Sequence, residues 1–265
     1  MRIAFLSDIH GNSIALDAVL QDIEQRGGVD SYAFLGDYCA RGFDPSGIIE
    51  RIHDLPNAIF VRGNTDRYLV TGERPRPSLE DVQKDPELTS KFLEVLNSFA
   101  WTQGHVTAGG WFEWLSKLKL QKRLMLPNGA RLLAVHASPR TDSGMGFKPN
   151  LGAAEMAKLI EGCNADIVIA GHTYWPLDIE FFGVRVVNAG SVGLPCQPDL
   201  RASYVVLVAD RWGVEAKFYR VDYDREAVID AIKASYHPAQ DYLIDIMRGN
   251  WKRVWDDRSL PKVED

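Results

Sequence analysis

Acidic, amide and imidazole side chains follow short apolar runs at five separate places along the chain. They are Asp8 with His10, then Asp37, Asn64, His136 and His172. Imidazole nitrogen together with carboxylate and amide oxygen is a ligand set that suits divalent ions such as Mn, Fe, Zn, Co or Ni. Any one of these residues is ordinary in the turn after a strand, but six of them at five strand ends favour a metal centre.

The elements predicted around these residues place them at one edge of a sheet. Strands are predicted at residues 2–7, 32–35 and 58–61, with helical spacing of apolar residues between them. This alternation predicts a largely parallel sheet, and the carboxyl ends of parallel strands face one crevice. Later predicted strands end at His136 and His172. We therefore expect all six side chains to converge in one pocket.

Asp8 and His10 stand two residues apart at the end of the first predicted strand. Side chains alternate between the faces of a strand, so an ideal strand would point both residues in the same direction. We therefore expect Asp8 and His10 to bind the same ion.

The rest of the chain departs from this alternation. A segment from about 71 to 119 is predicted to be a helical insertion rich in aromatic residues. Three β-rich segments are predicted to form a second, more antiparallel sheet; they are 184–187, 204–208 and 214–219. We expect one domain over residues 1–222, with a helical segment at 223–265 packed against it.

Composition and charge exclude several classes of protein. Hydrophobic residues make up 46% of the chain and charged residues 25%, which is typical of a globular protein. The net charge of −6 argues against an extended nucleic-acid partner. Cys39, Cys163 and Cys196 are too few for a disulfide framework or a cysteine-based zinc site. With no predicted signal peptide or membrane span, we expect a cytoplasmic location.

Five motifs that contain the candidate ligands occur in a fixed order. They are Asp8-Ile9-His10, Gly36-Asp37, Gly63-Asn64-Thr65-Asp66, His136 and Gly171-His172-Thr173-Tyr174. Their order and spacing resemble the signature of the calcineurin-like metallophosphoesterases over about residues 1–222. Pro139 and the segment 188–193 resemble the small bacterial-type phosphodiesterase branch. The resemblance implies an α/β fold, a four-layer α/β/β/α sandwich of two mixed sheets with a helical insertion.

The same resemblance implies a dinuclear metal centre. A first ion would be held by Asp8, His10 and Asp37. A second would be held by Asp37, Asn64, His136 and His172, with Asp37 bridging. Two such ions, about 4 Å apart, polarise a phosphoryl group and convert a bridging water into a hydroxide nucleophile.

Three further residues in or near these motifs have predicted roles of their own. Thr65 stands where many members of the family have a histidine that assists the leaving group, so Asn64 and Thr65 are the candidate catalytic residues. Tyr174 replaces a histidine that would bind the first ion, and a phenol is a poor metal ligand until it is deprotonated. Arg41 lies in the segment 36–42, which resembles a segment of the protein Ser/Thr phosphatases in which an arginine contacts phosphate. For Arg41 an ordinary solvated loop position stays equally open.

The function implied is hydrolysis of a phosphodiester or a nucleotide polyphosphate, with a small phosphorylated substrate such as a nucleotide. Two other functions stay open. One is a non-catalytic binding scaffold, similar to the phosphoesterase-like subunit of the retromer coat. The other is a protein phosphatase, although Ala40 replaces the acidic residue expected before Arg41. Neither a Walker-type phosphate loop nor a Gly-x-Gly-x-x-Gly turn occurs, so other nucleotide enzymes have little support.

The predicted insertion is expected to cover one side of the metal pocket and to influence substrate choice. Its aromatic residues include Trp101, Trp111 and Trp114. One of them could stack on a nucleobase. Packing within the insertion is the expected role of at least two of the three.

Overall fold

Ten strands form the centre of the computed structural model, which describes residues 1–194 and 198–250. In chain order they are β1 (Arg2–Leu6), β2 (Ser31–Phe34), β3 (Ile59–Phe60), β4 (Gln121–Met125), β5 (Arg131–Val135), β6 (Ile167–Ala170), β7 (Leu177–Phe181), β8 (Val184–Asn188), β9 (Ala202–Ala209) and β10 (Val214–Val221). The helices are α1 (Ser13–Gln25), α2 (Pro45–His53), α3 (Asn64–Thr71), α4 (Leu79–Lys84), α5 (Thr89–Ala108), α6 (Phe112–Ser116), α7 (Ala153–Ile160), α8 (Arg225–Ala234) and α9 (Gln240–Met247), with a 3₁₀ turn at Pro86–Leu88.

The strands form two mixed sheets of five strands each. The first has the order β10-β9-β1-β2-β3, in which β1, β2 and β3 run parallel and β9 joins β1 antiparallel. The second has the order β4-β5-β6-β8-β7, with a parallel centre and one antiparallel strand at each edge. The parallel strands bring their carboxyl ends to a shared edge of each sheet.

Alternating side chains along β1 show how the layers pack. Ile3 and Phe5 point into a core between the two sheets, where they meet side chains of β5, β6 and β8. Ala4 and Leu6 point the opposite way, toward α1 and α2. On the outer face of the second sheet, α7 covers β5 and β6. The predicted four-layer sandwich of two mixed sheets is therefore confirmed.

The prediction that the three late β-rich segments form one second sheet is wrong. Only β8 belongs to the second sheet, where it pairs in parallel with β6. The hairpin of β9 and β10 instead extends the first sheet, with Leu207 opposite Ile3. Most of β9 is buried on both faces, so its apolar run requires an interior position, and pairing with β1 supplies one.

Two strands were not predicted, and both lie at edges of the second sheet. The strand β4 exposes much of its length, and its sequence Gln-Lys-Arg-Leu-Met has no apolar alternation. The strand β7 is also partly exposed, but its sequence Leu-Asp-Ile-Glu-Phe alternates between apolar and polar residues and was a usable signal that the prediction missed. Edge strands with one solvated side do not need the apolar runs by which buried strands are recognised.

The helices α4, α5 and α6 lie between β3 and β4, within the segment predicted as an insertion. After β10, α8 and α9 pack with Leu194 and Tyr174 in a separate apolar cluster. The division into a domain at 1–222 and a packed segment at 223–265 stays a prediction, and residues 251–265 lie outside the described part of the chain. No helix within that part has the length and apolar character needed to cross a membrane.

Candidate metal centre

The six predicted ligands lie directly after strands that end at one edge of the sandwich. Asp8 and His10 follow β1, and Asp37 follows β2. Asn64 is the first residue of α3, just beyond β3. His136 follows β5 and His172 follows β6. The structure thus brings together all six residues from five separate stretches of chain.

The backbone of this edge is strained. Among the described residues, six of the ten non-glycine residues with positive φ lie here; they are Asp8, His10, Asp37, Arg41, His172 and Tyr174. Positive φ is costly for residues with a Cβ, and such conformations concentrate at functional sites. The expectation that strand alternation orients Asp8 and His10 is wrong, because both adopt left-handed conformations beyond β1. Their turns are held instead by bonds from Asp8 N to Gly36 O and from His10 N to Asp37 O.

Glycines allow the ligand turns to approach one another. A Cβ on Gly63 would overlap Oδ1 of Asp37, and a Cβ on Gly171 would overlap Ser7 Oγ. Gly63 and Gly171 immediately precede Asn64 and His172. The absence of a side chain at these two positions is therefore required for the ligand turns to meet.

Asp8, His10 and Asp37 form the first cluster of ligand atoms. One ligand atom from each lies within 4.8 Å of the others. Nε2 of His10 is 3.6 Å from Asp8 Oδ1 and 3.6 Å from Asp37 Oδ2. Oδ2 of Asp8 accepts hydrogen bonds from Ser7 Oγ and His172 N, whereas its Oδ1 is buried with no hydrogen-bond partner among the described residues. A buried carboxylate oxygen without a donor suits a cation.

His136 is the centre of the second cluster. Its Nε2 is 3.6 Å from Asp37 Oδ1, 3.2 Å from Asn64 Oδ1 and 3.3 Å from His172 Nδ1. Asp37 therefore presents one oxygen to each cluster. That arrangement suits a carboxylate bridging two ions.

Each of the three imidazoles has its other ring nitrogen at a backbone carbonyl. Nδ1 of His10 is 2.8 Å from Ala40 O, Nδ1 of His136 is 2.7 Å from Leu35 O, and Nε2 of His172 is 3.0 Å from Gly144 O. A carbonyl only accepts, so these nitrogens carry the protons and donate them. The remaining lone pairs all face the clusters. Metal-binding histidines are typically oriented in this way.

The convergence of lone pairs and carboxylates fits divalent cations. Burial raises the pKa of Asp37, but His136 and His10 outweigh it and hold the pKa below its usual value. Burial lowers the pKa of His136, but Asp37 and Asp8 outweigh it and raise the pKa. Burial and neighbouring His136 lower the pKa of His172. Protons and metal ions both relieve the repulsion among these acceptors, so they compete for the same atoms.

Asp66 is a positioning residue to which the sequence reasoning assigned no role. Its carboxylate accepts backbone N–H bonds from Asp37 at 2.8 Å, Tyr38 at 3.0 Å and Gly63 at 2.8 Å. Burial and the nearby Asp37 raise the pKa of Asp66 to about 7. Asp66 thereby joins the turn that carries Asp37 to the turn that carries Asn64. Its place in the motif Gly63 to Asp66 was the available signal.

Thr65 and Tyr174, the two departures from the family pattern, both contact predicted ligands. The backbone N–H of Thr65 donates to Asp37 Oδ1 at 2.8 Å, and its buried Oγ1 has no partner among the described residues. The hydroxyl of Tyr174 lies 2.8 Å from His10 Nε2, where it must be the donor because that nitrogen carries no proton. Thr65 supports a ligand, and Tyr174 contacts a ligand's free lone pair.

A cavity of about 320 Å³ opens onto the clusters. It is lined by Asp37, Arg41, Asn64, Gly144, Met145, Lys148, His172, Thr173 and Tyr174. Lys148 belongs to the long loop after β5, and no motif in the sequence distinguished it. Thr65 is not among the lining residues.

Arg41 lines this cavity, and its contact with phosphate stays a prediction. Its guanidinium forms no hydrogen bond or ion pair with any residue in 1–194 or 198–250. The neighbouring arginine Arg62 instead donates to the buried carboxylate of Asp142 at 2.8 Å. Two cationic side chains, Arg41 and Lys148, thus border the pocket beside the ligand clusters.

The predicted insertion lies beside this pocket rather than over it. Its residues line a second, neighbouring cavity, which they share with Arg41. Trp101 packs on His105 and His237, and Trp111 and Trp114 pack on each other and on His53. None of the three tryptophans lines either cavity, so packing accounts for all of them.

Comparison with known proteins identifies a family model that matches the chain and solved structures that share its fold. The family model described as calcineurin-like phosphoesterase matches residues 1–176. An uncharacterised protein of Methanocaldococcus jannaschii is 27% identical over 247 residues, covering 87% of this chain and 91% of its own length. The crystal structure of a hypothetical protein from Pyrococcus horikoshii superposes with a TM-score of 0.77 at 21% identity, covering 95% of this chain and 99% of that one. A metallophosphoesterase from Sphaerobacter thermophilus gives 0.73 at 24% identity, with the same coverage of both chains.

Proposed function

Because the chain belongs to the calcineurin-like phosphoesterase family, we propose that it hydrolyses a phosphodiester or a nucleotide polyphosphate with two divalent metal ions. Membership of the family supports a metal-dependent phosphoester hydrolase. The observation that carries the finer proposal is the orientation of three imidazoles. Each donates one ring proton to a backbone carbonyl. The remaining lone pairs of His10 and His136 face the carboxylate of Asp37, and that of His172 lies 3.3 Å from His136 Nε2.

The proposed ligand sets follow the two clusters. Asp8, His10 and Asp37 would hold the first ion. Asp37, Asn64, His136 and His172 would hold the second. When bound, such ions polarise the phosphoryl group and lower the pKa of a water molecule so that it can attack near neutral pH.

The chain's own residues position the reactants. Asp66 holds the backbone N–H of Asp37, and the N–H of Thr65 donates to the Asp37 carboxylate between the two clusters. Arg41 and Lys148 border the cavity, where charge-assisted hydrogen bonds to phosphate oxygens would orient the substrate. Asn64 and His172, which line the cavity at its ligand end, would face the reacting group.

Thr65 restricts the substrates that the site can process. General acid catalysis contributes about 100- to 10,000-fold in rate, and no histidine stands at this position to protonate a departing group. Aryl oxides and the phosphates of a polyphosphate chain leave without much protonation. We therefore expect hydrolysis of activated diesters and polyphosphates, with weak action on simple alkyl phosphates.

We also propose a cytoplasmic location, with a small phosphorylated molecule as substrate and neither nucleic acid nor membrane as partner. The support is the net charge of −6 and the buried free thiols of Cys39 and Cys163. Cys196 lies outside the described residues. The expected absence of an extended nucleic-acid partner would be checked by gel-shift assays.

The proposal is tested by hydrolysis of bis(p-nitrophenyl) phosphate by the metal-loaded protein and by Asp37→Asn. Loss of residues that merely support ligands costs about 10- to 100-fold, so loss of a shared ligand should lower the rate by more than about 100-fold. Asp54→Asn is the matched control, since Asp54 is exposed and does not line the cavity beside the clusters. Its rate should equal that of the parent.

Parallel substrates separate the alternatives. Hydrolysis of phosphopeptides without hydrolysis of diesters or polyphosphates would favour a protein phosphatase. Bound metal with no hydrolysis of any substrate would favour a binding scaffold. Equal rates in the parent and Asp37→Asn would remove the metal clusters from the reaction.

A further inference from the structure

A second cavity, of about 170 Å³, lies beside the metal pocket and is bordered by the insertion and by α9. Pro75 and Arg76 contribute one wall, and α5 contributes another through Lys91, Glu94 and Phe99. Tyr242 of α9 lines the opposite side. Nothing in the ligand motifs accounts for this cavity.

Arg41 connects the two cavities, because it lines both. Burial lowers the pKa of Arg41, but Tyr174 at the metal pocket and Tyr242 at the second cavity raise it, and the pKa ends above its ordinary value. The guanidinium has no hydrogen-bond or ion-pair partner in the described ranges. A molecule that extends from one cavity into the other would meet this cation on the way.

The second cavity is positively charged in an acidic protein. Arg41, Arg76 and Lys91 line it together with one carboxylate, that of Glu94, and Arg76 also pairs with Asp81 at 3.9 Å. Nζ of Lys91 lies 2.5 Å from Glu94 Oε1 and 4.3 Å from the centre of the Tyr242 ring. An excess of cations favours an anionic occupant.

The aromatic rings of this cavity are poorly placed to stack on a nucleobase. Lys91 lies over Tyr242, and Arg74 lies 5.3 Å from the centre of the Phe99 ring. A base would have to displace these cations, whereas a phosphate group would bind to Lys91, which lines the cavity. The positive charge beside these rings therefore favours a phosphate group over a nucleobase.

We propose that the second cavity binds a further phosphate group of the substrate while the scissile phosphate lies in the metal pocket. This inference rests on the proposed function and narrows it to the polyphosphate class. Arg41 contacts both phosphates, and Lys91 and Arg76 bind the distal one. The distal phosphate competes with Glu94 for Lys91.

Steady-state kinetics of the Mn²⁺-loaded protein test the proposal with two probes, inorganic tripolyphosphate and bis(p-nitrophenyl) phosphate. Free Mn²⁺ is held constant because polyphosphate binds it. In the double variant Lys91→Gln and Arg76→Gln, KM for tripolyphosphate should rise about tenfold, as expected for lost hydrogen bonds to charged groups. Its kcat, and kcat/KM for the diester, should stay within about twofold of the parent values.

Three further variants exclude a folding defect. Glu94→Gln should lower KM for tripolyphosphate about threefold, because it removes the carboxylate that competes for Lys91. Lys91→Arg retains the charge and should preserve the parent KM. Lys117→Gln, which changes an exposed lysine that lines neither cavity, should have no effect.

An unchanged KM for tripolyphosphate in the double variant would overturn the proposal. An equal loss on both probes would also overturn it, since these residues would then act through the metal pocket or the fold. If the parent hydrolyses neither probe, the proposed function fails by itself. Calorimetric binding of tripolyphosphate to chelator-treated protein then decides: weaker binding by the double variant supports the subsite, and equal binding rejects it.

Discussion

Tyr174 contacts the only ring nitrogen of His10 that can bind a cation. Nδ1 of His10 donates to Ala40 O, so its lone pair is on Nε2, and the Tyr174 hydroxyl donates to that lone pair at 2.8 Å. A metal ion bound by His10 must therefore displace this hydrogen bond. The second cluster has no equivalent competitor among the described residues, so we expect the first ion to bind more weakly than the second.

Replacement of Tyr174 tests this competition directly. Tyr174→Phe removes the competing donor and should tighten the weaker of two Mn²⁺ binding events, because Nε2 of His10 becomes free. Tyr174→His also adds a ligand and should tighten it further, by about tenfold or more. Isothermal titration calorimetry of chelator-treated protein measures both events without relying on activity. Weaker binding in Tyr174→Phe would show instead that the tyrosine itself is a ligand.

The turns beyond the strands orient the ligands, and their conformations could be predicted only in part. Apolar runs identified β1, β2, β5 and β6, so the residue that follows each strand was recognisable. The positive φ values of Asp8 and His10 depend on hydrogen bonds to the neighbouring turn after β2, and no local pattern specifies such long-range bonds. The role of Asp66 was hidden for the same reason, since its partners Asp37 and Tyr38 lie about thirty residues earlier.

The helices outside the sandwich contain a buried histidine that links stability to pH. His237 lies in the turn between α8 and α9 and packs on Trp101 of α5, with ring centres 4.8 Å apart. Its Nδ1 accepts from Ala239 N at 3.1 Å. Burial, followed by the charge of His105, lowers the pKa of His237 to about 4. The neutral ring is therefore the form that the folded protein accommodates.

Unfolding should become easier as the pH falls from about 6.5 to about 4, because only the unfolded chain protonates His237 in that window. The contribution of neutral His237 to the free energy of unfolding is complete above about pH 6.5. About 3 kcal/mol of it is lost on reaching pH 4. Urea unfolding of chelator-treated protein at several pH values measures it. In His237→Gln the free energy of unfolding should depend less steeply on pH than in the parent protein. Parallel curves for the parent and His237→Gln would contradict the assignment.

At the scale of the whole molecule, the predicted metal ligands lie at one edge of the sandwich, whereas most residues of the second cavity belong to the insertion and the C-terminal helices. The ligand order could be predicted from local motifs, and the four layers from the family resemblance that those motifs carry. The position of β9 and β10 in the first sheet could not be predicted from local patterns. An apolar strand can join either sheet, and only the pairing of β9 with β1 decides which sheet it joins. The second cavity joins α5, α9 and Arg41, which lie far apart in sequence.

The dependence of the hydrolysis rate on metal equivalents tests the dinuclear account most directly. Chelator-treated protein is titrated with Mn²⁺ while hydrolysis of bis(p-nitrophenyl) phosphate is followed. The second cluster should fill first and the cluster with Tyr174 later, so the rate should stay low up to about one equivalent and rise beyond it. A rate that is already maximal at one equivalent, or that is independent of added metal, would contradict the account.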